Sequence, residues 1–553
     1  MEYGKNTVVI SYKIKNDDEK ATLTLAPLLN FRDYHHTSTN RKFNLTQEIN
    51  GTKLKVTIDN NYENSIYIDV PNSKYIIHNE DSFNNMFYIE EEKRGFIAEE
   101  NHAIPGIFQI EIEANEEKEI SFMCSLEKDI ENKDAREITK NEIERLEKIV
   151  KNSELVNEEN ADLIEALVIA SDNFVSYKPE FDSYTVMAGY PWFIDWSRDT
   201  LISFEGILLL TKRYEIAREV LLSITKDINN GLIPNGYSDR DNKPLYNSVD
   251  ASLLLFEQVQ KYLEYTEDYQ FVKENLYEKL KSIIENYACG IDIDNNNIYL
   301  DYDNLIVSGT EETQNTWMDA KYDGKAITPR NGKVVEINAL WYNALRIMAD
   351  LENKIGKKAN SKQYKELAER TKLSFIDKFY NKKRKCLFDV LGDSKIRPNQ
   401  LFALSLTYPV TDMDSEIAKN IFEVVTKKLL NNYGLKTLAK GEENYVEVYE
   451  GNGFQRDSSY HQGITWPWLL GLYYNTLKNF INSQKNKKDK EILENILADF
   501  RKNTIKVFGK EIVSNGCIGG IAELYDSKKP QLPKGTINQA WSVAEVFRII
   551  LEK

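Results

Sequence analysis

GYPWFIDWSRDT, residues 189–200, is the stretch on which the reading of this chain turns. Its Gly and Pro mark a loop, and Arg198 and Asp199 open a helical run that continues through LISFEGILLL (201–210). The same alternation of long loop and helix recurs to the C-terminal end. Helical spacing of apolar residues is read at 155–177, 198–212, 214–228, 249–266, 268–289, 335–355, 360–380, 398–407, 415–430, 462–481, 486–508 and 536–552. Connections after the second, fourth, sixth, eighth and tenth helix are short. Those after the first, third, fifth, seventh, ninth and eleventh are long and rich in Gly, Pro, Asn and Trp. Short turns join antiparallel neighbours, so the six long loops are expected at one end of the bundle. Six helical hairpins closed into a ring predict an (α/α)6 barrel over 154–553, with function at the loop-rich end.

Ahead of the helices the period is two. TVVISYKI, ATLTLAPLL, KLKVTI, SIYIDV, KYIIH, FQIEIEA and EKEISFMCSL alternate apolar and polar residues between Asn, Asp and Gly turns, which predicts a β-sandwich-like domain over 1–125. Residues 126–153 are read as a charged helical linker. The fold class expected is therefore mainly α, a barrel preceded by a sandwich.

All seven Trp lie between Trp192 and Trp541, beside carboxylates, Arg, Gly or Pro. Aromatic faces next to Asp and Glu suit sugars, whose C–H faces stack on rings and whose glycosidic bonds are cut by carboxylate pairs. Trp192, Trp196, Trp317, Trp466 and Trp468 fall on or beside the long loops and are expected to wall a pocket. Trp341 and Trp541 sit inside helices at core spacing and are expected to pack.

The net charge of −16 argues against nucleic acid, anionic membranes and acidic polymers, and leaves a neutral polymer as an acceptable partner. No apolar run is long enough to span a bilayer, and MEYGKNTVVI lacks the features of a signal peptide. The four Cys show no CxxC spacing, which fits reduced thiols in the cytoplasm. Of five His, only His461 lies in the Trp-rich part, so no His-rich metal site is expected there and no cofactor is called for.

Arg198 and Asp199 can bracket vicinal sugar hydroxyls, one donating and one accepting; Asp199 can equally serve as a helix cap. Asp195 and Asp250, on the first and second loops, are further candidate sugar contacts. Asp319 follows Trp317 and Met318, apolar neighbours that raise a carboxyl pKa as a general acid needs; the alternative is a turn Asp bonding its own backbone. Glu523, after Gly519-Gly520 and between Ile521 and Leu524, is either a base that meets a water or a surface residue. Glu336 is a rival carboxylate, a hydroxyl binder or a first-turn Glu. His461, read as opening the tenth helix, is either a donor to a sugar hydroxyl or a structural residue.

GYPWFIDWSRDT, TWMDAKYDGKAITPRNGKVVEINALWYNAL (316–345), IRPNQLFALSL (396–406), YHQGITWPWLLG (460–471) and GGIAELYD…PKGTINQAWSVAEV (519–546) together resemble the amylo-α-1,6-glucosidase family, the glucosidase part of glycogen debranching enzymes in its bacterial and archaeal form. The resemblance extends to LAPLLNFRDYHHTSTN (25–40) and RGFIAEENHAIPGIF (94–108). The Trp-Ser-Arg-Asp segment is also similar to a sugar-binding segment of glucoamylases. The resemblance implies an inverting hydrolase acting on α-1,6-linked glucosyl stubs of glycogen or limit dextrin, with Asp319 as general acid, Glu523 as general base, and Arg198 and Asp199 on the cleaved sugar. It implies a longer β domain than this chain carries, so a shortened sandwich with an exposed edge strand is expected. The large transferase domain of the eukaryotic enzymes has no counterpart in the sequence.

Two other readings remain open. One is a different (α/α)6 enzyme, a trehalase-like α-glucosidase or a disaccharide phosphorylase; a phosphorylase needs basic residues where Glu523 stands in an apolar setting. The other is a non-catalytic glycogen-binding protein.

Overall fold

The computed structural model describes the chain apart from residues 34, 40–41, 60, 62–64, 129–133, 157–158, 180, 239–240 and 552–553. Parts of the expected linker, of the motif at 25–40, of the first expected helix at 155–177, of the first two long loops and of the last helix therefore lie outside the described residues. The chain divides into two compact units, Met1–Ile149 and Val150–Lys553.

The first unit is built from β1 (Thr7–Lys15), β2 (Ala21–Leu25), β3 (Leu45–Asn50), β4 (Lys53–Ile58), β5 (Ser65–Asp69), β6 (Lys74–Phe87), β7 (Glu99–Ile112) and β8 (Glu117–Ser125), with the short α1 (Ile89–Lys93) between β6 and β7. One antiparallel sheet runs β1-β8-β5-β4-β3 and the other β2-β7-β6. Alternate residues of both sheets point into one core, where Leu54, Val56, Ile68 and Ile120 meet Phe108, Ile110 and Ile112. The sequence pattern missed β3, the far half of β6 and the first part of β7, ahead of Phe108. The pairing of β6 with β7 slips between Ile77 and Asp81 and again between Phe83 and Met86, and each slip breaks the alternation that a period-two reading relies on. The charged segment read as a linker forms α2 (Ala135–Ser153). It is not a bare connector, because Ala135 and Ile138 pack with Tyr67 and Met123 of the sheet.

The second unit is helical: α3 (Ala161–Asp172), α4 (Ser197–Phe204), α5 (Tyr214–Ile224), α6 (Ala251–Thr266), α7 (Tyr269–Phe271), α8 (Tyr277–Cys289), α9 (Val335–Lys354), α10 (Lys358–Phe379), α11 (Phe402–Ser405), α12 (Glu416–Lys428), α13 (Gly453–Tyr460), α14 (Leu469–Ser483), α15 (Lys487–Ser514) and α16 (Ala540–Leu551). The chain of contacts α4–α6–α9–α11–α14–α16 returns from α16 to α4, so these six helices form a closed ring. They are buried nearly all round, as ring members must be; every residue of α4 is buried. α3, α8, α10 and α15 back onto the ring. In α10, Ser361, Ala368, Thr371, Phe375 and Phe379 form one buried stripe. One polar pair bridges two ring helices: Asn343 Nδ2 donates to Glu257 Oε2 at 2.8 Å.

Helical patterning alone missed the strands in this unit. Leu430–Asn431, Gly434–Lys436, Thr465–Trp466, Leu524–Tyr525 and Pro533–Lys534 form a small five-stranded sheet, and Gly189–Tyr190 pairs with Asn538–Gln539. Two-residue strands leave too short a pattern to register as a period. Among the described residues no helix is long and apolar enough to cross a membrane.

Candidate functional site

Four of the long loops bring carboxylates to one place. Arg198, in the first turn of α4, is their hub. Its Nε lies 2.9 Å from both oxygens of Asp250, just ahead of α6, and its Nη1 donates to Asp319 Oδ2 at 2.8 Å. Its Nη2 donates to the carbonyl of Asn315 at 3.3 Å. Burial alone would lower the pKa of this guanidinium, but Asp250, Asp319 and Asp199 outweigh it and hold the charge in place. Asp199 is not a helix cap: the α4 N-cap position is Trp196, with no side-chain cap bond. Its Oδ1 instead accepts from Gln539 Nε2 at 3.0 Å. That bond depends on the pairing of Gly189 with Gln539, and a Cβ at Gly189 would fall 1.9 Å from the Gln539 side-chain oxygen.

Asp319 leaves the buried run Thr316-Trp317-Met318 and precedes a β-hairpin, Lys321–Tyr322 with Lys325–Ala326. Its side chain keeps 41% of its surface open, so it forms the wall of a recess rather than part of a sealed core. Its pKa is raised by burial, against the pull of Arg198 and with help from Asp250. Glu523 lies just before strand Leu524–Tyr525 and is 2% exposed. Tyr460, the last residue of α13, donates its hydroxyl to Glu523 Oε1, and the Thr536 backbone N–H donates to Oε2 at 2.9 Å. Burial pushes Glu523 up to about 7, while Tyr460 and Thr536 pull it down and Asp319 adds to the rise. Asp199 rises well above the usual carboxyl range through burial, opposed by Arg198 and reinforced by Asp319 and Glu523. Three carboxyls thus feel one another's charge around one arginine.

Glu336, His461, Trp317, Trp466 and Trp468 lie beneath this group, not on its surface. Glu336 is buried and accepts from Arg330 Nη2 at 2.6 Å; Arg330 also holds Asp389 at 2.7 Å. Asn399 Nδ2 donates to Asp389 at 2.8 Å, and Asn399 Oδ1 accepts from Trp317 Nε1 at 2.8 Å. This buried network fixes the ring beside Asp319. Trp317 meets Trp466, Trp468 and His461 edge to face at 5.0–5.4 Å, and Trp468 stacks on Trp541 at 5.5 Å. The expectation that Trp317, Trp466 and Trp468 wall a pocket is therefore corrected: all three are buried in one aromatic cluster. The loops that carry them turn inward, and strand Thr465–Trp466 tucks against Leu435 and Tyr525. Only Trp192 and Trp196 remain half-buried. Trp341 packs parallel to Tyr287, as its helical spacing suggested.

His461 ends α13 rather than opening a helix, and α14 starts at Leu469. It stacks on Trp466, and neither ring nitrogen has a hydrogen-bond partner among the described residues. Burial lowers its pKa well below the usual value, and Arg397, Arg198 and Arg330 add to that, so the imidazole is neutral. Asp195 accepts from Lys178 at 2.9 Å and from Thr185 Oγ1 at 2.9 Å.

Tyr460 and Gln539 were not singled out from the sequence. Tyr460 stood inside YHQGITWPW, where His461 and the Trp residues drew the reading. A hollow of about 50 Å³ lies farther along the ring helices among Glu205, Glu257, Lys261, Glu545 and Arg548, too small for a sugar ring. Among the described residues, no group of three or more His, Cys, Asp or Glu is placed to hold a metal ion.

Residues 169–548 match the family described as Amylo-alpha-1,6-glucosidase, and residues 1–119 match the one described as Glycogen debranching enzyme N terminal. The chain is 25% identical to the glycogen debranching enzyme of Saccharomyces cerevisiae over a stretch that takes in 52% of this chain and only 24% of that relative's length. Its fold is similar to that of a bacterial glucoamylase solved with acarbose, at a TM-score of 0.54 and 14% identity, covering 90% of this chain and 72% of the other. With most of its length matched by one family, the chain belongs to the amylo-alpha-1,6-glucosidase family.

Proposed function

We propose that the protein is an inverting glycoside hydrolase that releases α-1,6-linked glucosyl stubs from glycogen or limit dextrin. On this reading the closed ring of six helices is the inner wall of an (α/α)6 barrel, and the protein works in the cytoplasm with its cysteines free. The observation that carries the reading is the contrast between Asp319 and Glu523. They stand on different loops, one open to a recess and the other held by two donors, yet each raises the other's pKa or that of Asp199.

Asp319 serves as the acid. Burial favours its protonated form, and a sugar that displaces water from the recess strengthens that preference. Glu523 serves as the base: Tyr460 and Thr536 both donate to it, which suits a carboxylate rather than a carboxylic acid. In the reaction, Asp319 gives its proton to the glycosidic oxygen as the bond from that oxygen to the anomeric carbon breaks. Glu523 takes a proton from a water whose oxygen bonds to the anomeric carbon from the opposite face. The product is β-glucose, and the proton returns from Glu523 to Asp319 through solvent. Inversion requires the two carboxyls to stand apart by roughly 6.5–9.5 Å, which residues on separate loops can satisfy. Arg198, Asp199 and Asp250 form the polar floor that holds the sugar hydroxyls.

Glucose release from phosphorylase-limit dextrin, followed by NMR, tests this directly. β-Glucose should appear first, and Asp319→Asn and Glu523→Gln should each lower the rate by orders of magnitude. α-Glucose first would overturn inversion. Binding of the polymer without glucose release would instead support a non-catalytic binding protein.

A further inference from the structure

With Trp317, Trp466 and Trp468 buried, further aromatic surface beside the carboxyls comes from residues other than Trp. Tyr322 and Phe454 supply it. Their rings meet edge to face at 5.1 Å, and they are 42% and 51% exposed. Tyr322 is on the hairpin that begins just past Asp319, and the Ile327 N–H to Ala320 carbonyl bond of 3.0 Å closes that hairpin against it. Three steps of about 3.8 Å bound the distance between the Asp319 and Tyr322 Cα atoms. Phe454 is in the first turn of α13, whose last residue, Tyr460, holds Glu523. Six residues of helix separate the two by about 9 Å along the axis. The pair therefore bridges the element that carries the acid and the helix that steadies the base.

The hairpin has a second side. Neighbouring strand residues face opposite ways, so Lys321 and its cross-strand partner Ala326 face away from Tyr322, and both line a cleft of about 760 Å³ with Asn295, Glu311, Glu312 and Asn315. Its amides and mixed charges can bond hydroxyls without calling for a charged ligand. A branch-point glucose carries its stub on O6 and continues the main chain through O1 and O4, so a stub-cleaving site needs two exits for that chain. We infer that Tyr322 and Phe454 form a stacking platform for the α-1,4-glucan main chain on one side of the hairpin, with the polar cleft receiving its continuation on the other. This rests on the hydrolase reading above and names how the polymer is held.

The experiment compares limit dextrin with α-glucosyl fluoride, which fills only the cleaved-sugar position. In Tyr322→Ala and Phe454→Ala, the ratio of kcat/KM for dextrin to that for the fluoride should fall about tenfold, through KM for the polymer, as expected for loss of one stacked ring. Tyr322→Trp and Phe454→Trp should restore it. Tyr302→Ala, at a tyrosine 88% exposed on another part of the surface, should leave it unchanged. An unchanged ratio in the double alanine variant, or an equal fall with Tyr302→Ala, overturns the platform while the hydrolase reading stands. If the wild-type protein cleaves neither substrate, the hydrolase reading falls. The platform is then judged by retardation in glycogen-containing gels, which the double variant should lose; equal retardation, or none in the wild type, overturns it.

Discussion

Tyr460 and Glu523 are 63 positions apart, yet the tyrosine hydroxyl donates directly to Oε1 of the carboxylate. The bond lowers the pKa of a group that burial has pushed up to about 7. Tyr460→Phe keeps the ring among Trp466, His461 and Tyr449 but removes the donor. Glu523 should then titrate above 7, and a base must be ionised to work. The acidic limb of the kcat/KM–pH profile should move to higher pH, with a fall in kcat at neutral pH of roughly tenfold. An unmoved limb would show that the hydroxyl does not tune the base.

The same raised pKa ties the site to stability. Between the ordinary glutamate value of 4.5 and about 7, the folded protein holds a proton on Glu523 that the unfolded chain has released. Stability from this group is present below 4.5 and is lost as pH rises through 7. Glu523→Gln should therefore raise the melting temperature relative to wild type at pH 8, and do so less at pH 5. The check is a pair of thermal scans at each pH; a difference that shrinks as pH rises would reverse the argument.

Gly535 lies against the base. Its φ is +70°, and a Cβ there would come within 2.2 Å of Glu523 Oε2. Gly535→Ala asks an L-residue to take a left-handed backbone, at a cost of about 1–2 kcal/mol, and crowds the carboxylate that Thr536 holds. The expected result is a folded protein with a large loss of kcat, seen by comparing circular dichroism with glucose release.

Trp192 and Trp466 should part company when each is replaced by Ala. Trp466 is wholly inside the aromatic cluster, so Trp466→Ala should cost about 3–5 kcal/mol in denaturant unfolding. Trp192 is half-buried on the first loop. Trp192→Ala should change stability far less and raise KM for limit dextrin. Equal destabilisation by the two would mean that Trp192 also belongs to the core.

The helical hairpins were legible because apolar stripes at helical spacing run for several turns and the connections between them differ in length. Arg198, Asp199, Asp250, Asp319 and Glu523 were legible because charged residues in Gly-rich loops stand out, and the structure brings these five together. The burial of Trp466 and Trp468 was not legible. WPW at 466–468 looks the same whether its loop rides on the surface or folds under, and it is the pairing of Trp466 with Leu435 and of Thr465 with Tyr525 that turns it under. Glu336 was misleading for a related reason. Its partner Arg330 is close in sequence, but Asp389, which completes the buried trio, comes from the next loop. Tyr460 stayed hidden because a tyrosine becomes a positioning group only through a partner that local pattern does not reveal.

The ring of helices is shut by its last member. α16 packs on α4, and Gln539, just ahead of it, reaches Asp199 across 340 positions. On the ribosome, α4 leaves the exit tunnel long before α16 exists, so five ring helices wait with an apolar flank uncovered. Such long-range closure is slow to find and exposes sticky surface meanwhile. A stop codon ahead of Asn538 would leave an open horseshoe with an apolar flank uncovered and Asp199 without its Gln539 donor.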